Sequence, residues 1–155
     1  MPPAPSPSLF AALLVTGFVG CAEFASFALV HPVVRSLPAD AQLAMERGLL
    51  GTFGRVMPIG MTLAPCTAAL AAWRPGGAWF AAAAAALLLA LLVTIAGNVP
   101  INRRTGRIRG GTPPPGFLRM RRRWDALQGV RGGLQLLGFL LVAAGASFAE
   151  AGAAA

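Results

Sequence analysis

A few ionisable and amide side chains lie in or beside strongly apolar stretches of this 155-residue chain, where an ionised group costs about 2.5 to 3.5 kcal/mol on membrane-insertion scales. Each therefore marks a candidate for chemistry. Glu23 lies inside the first apolar run, and His31, the single histidine, follows eight residues later. On a helix that spacing is about 12 Å along the axis and puts the two on neighbouring faces. Pro32 disfavours helical geometry at His31 and predicts a helix end there. An imidazole in that place can shuttle protons or ligate a metal or haem. The plainer reading is an interfacial histidine that caps a helix C-terminus, where the dipole favours its cation.

Arg55, in Thr52-Phe53-Gly54-Arg55-Val56-Met57-Pro58, can either snorkel to headgroups or serve as a cation near Glu23. Asn98 and Asn102 flank Pro100 and are four residues apart. If the helix persists through the proline they share a face, ready for a freed carbonyl or a ligand; otherwise the segment is a helix stop. Trp124, Gln128 and Arg131 are spaced four and three apart and can also share one face. Met57, Met61 and Cys66 could be soft metal ligands beside His31, but such residues more often serve as adaptable packing.

The elements that must carry these residues follow from composition. Hydrophobic residues make up 56% of the chain and charged ones 12%, with a mean hydropathy of +0.67; soluble domains average about 25% charged. This composition predicts an all-α integral membrane protein. Spanning a bilayer takes roughly 20 apolar residues, and four stretches qualify, over about residues 8–30, 49–73, 78–97 and 120–148, in a single domain. The fourth starts as an amphipathic helix near Phe117, with Arg121 to Arg131 at headgroup depth or in the cytosol. A basic loop over about 102–119 holds Pro113, Pro114 and Pro115. The Pro-rich opening (Pro2, Pro3, Pro5, Pro7) is predicted non-helical and the tail from Glu150 disordered. No arginine precedes Arg35, so the first run reads as a retained span rather than a secretory signal.

The net charge is +8 and all 13 basic residues are arginine, a bias of GC-rich bacterial genomes. Twelve of them fall at the links between spans one and two and between spans three and four, and Arg74 alone falls on the other side. The positive-inside bias then puts both links in the cytoplasm and both termini outside an inner membrane. Arginine beside a membrane helix also favours anionic lipid over nucleic acid as partner. Gly17-x-x-Gly20 and Gly48-x-x-Gly51 predict close helix approach. The two cysteines lie in apolar runs and imply no disulfide framework. The absence of tyrosine excludes tyrosyl chemistry, and the absence of any Gly-x-Gly-x-x-Gly or Walker loop excludes a Rossmann-bound flavin or nicotinamide.

Together, Glu23, His31, Arg55, Asn98, Asn102, Trp124, Gln128 and Arg131 map to the cytoplasmic half of a four-helix bundle. The stretches that carry them (Gly17 to Pro32, Phe53-Gly54-Arg55-x-Met57-Pro58, Asn98-Val99-Pro100-Ile101-Asn102 and Arg123-Trp124-x-x-x-Gln128-x-x-Arg131) resemble, in order, the small four-helix membrane proteins of the anthrone-oxygenase-like family. The resemblance implies an oxidoreductase that oxidises an apolar, often aromatic small molecule with O2 in secondary-metabolite biosynthesis, as relatives convert anthrones to anthraquinones. Where relatives typically carry a histidine this chain carries Gln128, which does not suit a mechanism needing two histidines. On this reading His31 is a general base or a haem ligand, and Glu23 orients it or takes protons. Arg55 and Arg131 stabilise an enolate, superoxide or haem propionate, while Asn98 and Asn102 bind substrate or cofactor; Trp124 and Gln128 complete a cofactor site. Haem is the leading cofactor candidate, and a homo-oligomer is an open possibility. The competing class is a non-enzymatic membrane protein, such as a proton-coupled transporter or an assembly factor.

Overall fold

A computed structural model describes residues 6–74 and 77–153, and every regular element among them is helical. Helix α1 (Pro7–Ala25) starts with Pro7 in its first turn, where the missing donor costs nothing. Pro2, Pro3 and Pro5 lie outside the described residues. A π-helical turn, Ser26–Val30, follows and leads without a break into α2 (His31–Ser36). The His31 N–H closes this turn on the Ser26 carbonyl, five residues back. The same device recurs later. Helix α4 (Gly77–Val93) passes through the π turn Thr94–Asn98 into α5 (Val99–Arg107), with the Val99 N–H bonded to the Thr94 carbonyl.

Both widened turns end two residues before a proline, Pro32 or Pro100, whose ring crowds the previous turn and whose nitrogen has no proton to donate. An i→i+5 turn absorbs the misfit and lets the helix go on. The helix end expected at His31 is therefore absent, and of the two readings open at Pro100 the helix persists, running past the expected span end near residue 97 to Arg107. The long basic loop shrinks to residues 108–116.

Helix α3 (Ala39–Ala71) starts ten residues before the apolar run read from the sequence and contains Pro58 and Pro65. Helix α6 (Phe117–Ala153) starts where its amphipathic portion was expected. It also takes in most of the tail expected to be disordered, of which only residues 154 and 155 lie outside the described residues.

Three continuous rods, Pro7–Ser36, Gly77–Arg107 and Phe117–Phe148, are long and apolar enough to cross a membrane. Helix α3 is as long but less apolar, because Asp40, Glu46, Arg47 and Arg55 interrupt it, and it is not one of the three. The helices form a ring in which α1 and α4 each touch both α3 and α6. Large apolar side chains such as Leu14, Leu29, Ile59, Leu70 and Leu92 face outward, as lipid requires and water penalises.

The interior is graded. At the end that holds Arg74, Ala12, Ala64, Ala68, Ala71, Phe80 and Leu87 make a dry core. Val19, Met57 and Met61 continue it, and beyond them the buried residues become polar. Small residues set the approach of α1 to α6: a Cβ on Gly20 would lie 2.8 Å from the Gln135 carbonyl, and one on Gly132 would lie 3.3 Å from that of Glu23. The Gly17-x-x-Gly20 stretch thus does what was expected of it. Gly48 and Gly51 instead face open space, with nothing within 4 Å.

Gly20→Leu should separate these helices and destabilise the protein by about 1 to 3 kcal/mol or more, read as a lower unfolding midpoint in detergent. Gly48→Leu should leave the midpoint nearly unchanged.

Candidate functional site

Where the buried residues turn polar the bundle encloses a cavity of about 450 Å³, a size common among small-molecule sites. Its walls come from all six helices and both π turns, with Leu49, Leu50, Phe53, Met57, Leu91 and Val99 supplying apolar surface. Two polar clusters face it.

The first cluster lies toward the apolar core. Glu23 Oε2 accepts hydrogen bonds from Gln128 Nε2 and Arg131 Nη2, each at 2.7 Å, and Arg131 Nε donates to Gln128 Oε1 at 2.6 Å. The three side chains thus close a ring of hydrogen bonds. Arg131 Nη1 reaches Thr94 Oγ1 at 3.4 Å, inside the second π turn, and Met61 Sδ at 3.6 Å. Glu23 is 1% exposed and Gln128 fully buried. A charge this deep is retained only when paired, and the Glu23–Arg131 pair meets that condition.

The second cluster surrounds His31. Its Nδ1 faces Asp125 Oδ1 at 3.5 Å and Glu46 Oε1 at 3.9 Å, which leaves Nε2 as the nitrogen available to the cavity that His31 lines. The ring rests against Trp124, centroids 4.6 Å apart. Arg121 pairs with Glu46 at 2.5 Å and lies over the Trp124 ring at 4.3 Å. Arg35, partly exposed, approaches Asp125 at 3.8 Å. Burial pushes the Glu46 carboxyl above its ordinary range, against the lowering pull of Arg121 and His31, so it holds a proton more readily than an exposed glutamate.

The π turn in the first rod brings Glu23 and His31 to one cavity. Eight residues of regular helix would set them roughly 80° apart, but the extra residue in the widened turn makes eight behave as about seven, close to two full turns. Thr94 and Asn102 on the second rod are spaced in the same way across the second π turn, and both line the cavity.

Of the residues picked from the sequence, Glu23, His31, Asn102, Trp124, Gln128 and Arg131 meet around this space. Asn98 is fully buried beside it and donates to the Trp124 carbonyl at 3.3 Å, tying the second π turn to α6. Arg55 is not brought there. It is exposed and borders a separate outer groove with Leu14, Phe18 and Ile59. The reason is angular: Arg55 precedes the inward-facing Met57 by two residues, roughly 200° around the helix.

Glu46, Asp125 and Arg121 were not picked from the sequence. Arg121, expected at headgroups or in the cytosol, is 2% exposed inside the bundle. Asp125 follows Trp124 directly and is one of only five acidic residues, a signal that was legible. Cys66 faces outward, away from His31. Among the described residues no group of three or more His, Cys, Asp or Glu is arranged to hold a metal ion. His31, with two carboxyl groups facing its Nδ1 at 3.5 and 3.9 Å, is the one imidazole that could hold a haem here.

Fold and site together define a membrane-embedded helical bundle with a polar-ended cavity. The family model for anthrone oxygenases matches residues 42–141, about two thirds of the chain, and the protein belongs to that family. The match takes in Glu46, Asp125, Gln128 and Arg131, whereas Glu23 and His31 precede it. No curated protein and no solved structure matches the chain significantly.

Arg131→Leu, which strands the Glu23 carboxylate, should cost about 3 to 5 kcal/mol. Adding Glu23→Leu should recover much of that loss, so thermal unfolding of the single and double variants reads the coupling directly.

Proposed function

We propose that this cavity is where an apolar aromatic molecule with an acidic C–H bond is oxidised by O2. Family membership supports an oxygenase-like role, and the observation that carries the chemistry is the His31 imidazole, its Nδ1 faced by the carboxyl groups of Asp125 and Glu46, at the wall of a largely apolar space. With Nδ1 turned to Asp125, Nε2 acts as the general base.

It removes a proton from a methylene flanked by aromatic rings, and the resulting carbanion, delocalised into a ring oxygen, reacts with O2. The peroxide anion formed on that carbon regains the proton from His31. Loss of the second C–H proton to Nε2 then forms the carbonyl as the O–O bond breaks, and the departing hydroxide takes that proton to become water. The methylene thus becomes a ketone, one oxygen atom goes to the product, and the other leaves as water. Asn102 and Arg131 lie on the walls where developing negative charge needs donors.

A haem is the alternative arrangement: His31 would hold it through its imidazole and Arg103 would pair with an acidic substituent, and the group would then supply oxygen activation. On this reading the protein sits in the cytoplasmic membrane with its arginine-rich end inside.

Oxygen uptake by the protein in nanodiscs with an anthrone tests the proposal. His31→Ala should lower kcat by about 10²- to 10⁴-fold, and Asp125→Asn by about 10- to 100-fold. Arg55→Gln should stay within about twofold of the parent. A Soret band lost in His31→Ala would select the haem arrangement. Undiminished uptake in His31→Ala would overturn the assignment, and proton-coupled flux without turnover would favour a transporter.

A further inference from the structure

The cavity is not walled evenly. On the side where α3 faces α4 and α5, the residues that line it are also outward-facing: Phe53, Gly54, Pro58 and Thr62 on one helix, Ile95 and Arg103 on the other. Both edges of this opening are helix irregularities. Pro58 has no N–H for the Gly54 carbonyl, four residues earlier, and the opposite edge is the π turn Thr94–Asn98. A Cβ on Gly54 would meet only the Leu50 side chain, at 3.8 Å, so nothing from the facing helix fills the gap.

Depth decides what lies outside. Gly54 is about 25 Å along α3 from Ala71, at the dry end of the bundle, within the roughly 30 Å of hydrocarbon that a bilayer supplies. Toward the polar end of the opening stands Arg103, exposed and, among the described residues, without an ion pair or side-chain hydrogen bond.

We propose that this opening is a lateral slot through which the cavity exchanges ligands with the lipid, and that it selects amphiphiles with an acidic head. The apolar part enters past Gly54 and the head settles near Arg103. A neutral chain gains nothing from Arg103, and a zwitterionic lipid, whose phosphate already has its own cation, gains little, whereas a carboxylate or phenolate gains a cation at the membrane interface, where desolvation strengthens the pair. The inference deepens the oxygenase reading by naming the class and route of its substrate. It does not need turnover to be tested.

Trp124 lines the cavity and can report on it. In a Trp73→Phe/Trp79→Phe background it is the only tryptophan left. In phosphatidylcholine vesicles, a dibrominated fatty acid should quench Trp124 at least twofold. Gly54→Phe should abolish most of that quenching, while Gly51→Phe, on the same helix but outside the cavity, should not. Arg103→Gln should raise the half-quenching concentration of the acid several-fold without altering quenching by a brominated phosphatidylcholine. Equal quenching in the Gly54→Phe and Gly51→Phe proteins would overturn the slot, as would stronger quenching by aqueous iodide than by the brominated acid. An unchanged Arg103→Gln titration would overturn the selectivity. Because none of these readings uses oxygen uptake, a failed slot and a failed oxygenase assignment remain distinguishable.

Discussion

The buried pair between Glu23 and Arg131 is the interaction on which the rest of the interior depends. Each group alone would be an unpaired charge among apolar side chains. Together, with Gln128 bridging them, they close a ring of short hydrogen bonds. That ring requires α1 and α6 to lie almost backbone to backbone, which Gly20 and Gly132 permit because neither presents a Cβ to the other helix. Such a pair is poor evidence of stability for its own sake; its consequence is a fixed register between two helices. The register places His31 of the first rod beside Trp124 and Asp125 of the last.

The two π turns do the complementary work along each rod. Without the widened turn at Ser26–Val30, His31 would be rotated by roughly 80° from Glu23 and off the wall that both now line. The turn at Thr94–Asn98 holds Thr94 against Arg131 while keeping Asn102 on the cavity wall. Both depend on a proline two residues beyond the turn. A sequence element that commonly ends helices here rotates one instead, and the site is built from the rotated residues.

This explains which parts of the protein could be read from its sequence. The all-α membrane class follows from composition, and the beginning of α6 at Phe117 follows from the change to an amphipathic pattern. A helix end was misplaced at His31, and the choice at Pro100 stayed open, because a local rule about proline cannot tell a stop from a π turn. Glu46 was lost because it lies in the polar extension of α3, outside the apolar run that drew attention to that helix. The inward stripe Met57, Met61, Ala64, Ala68 and Ala71 could have excluded Arg55 by angle alone. Gln128, the departure from the family pattern, proves to be the bridge of the buried pair.

The central claim is that Glu23 and His31 face one shared ligand site. An electron cryo-microscopy map of the protein in nanodiscs, with an oxidation-resistant tricyclic phenol bound, examines it most directly. The account predicts ligand density between the Gln128–Arg131 face and the His31 ring. Density confined to the outer groove beside Arg55, with this cavity filled by side chains, would contradict it.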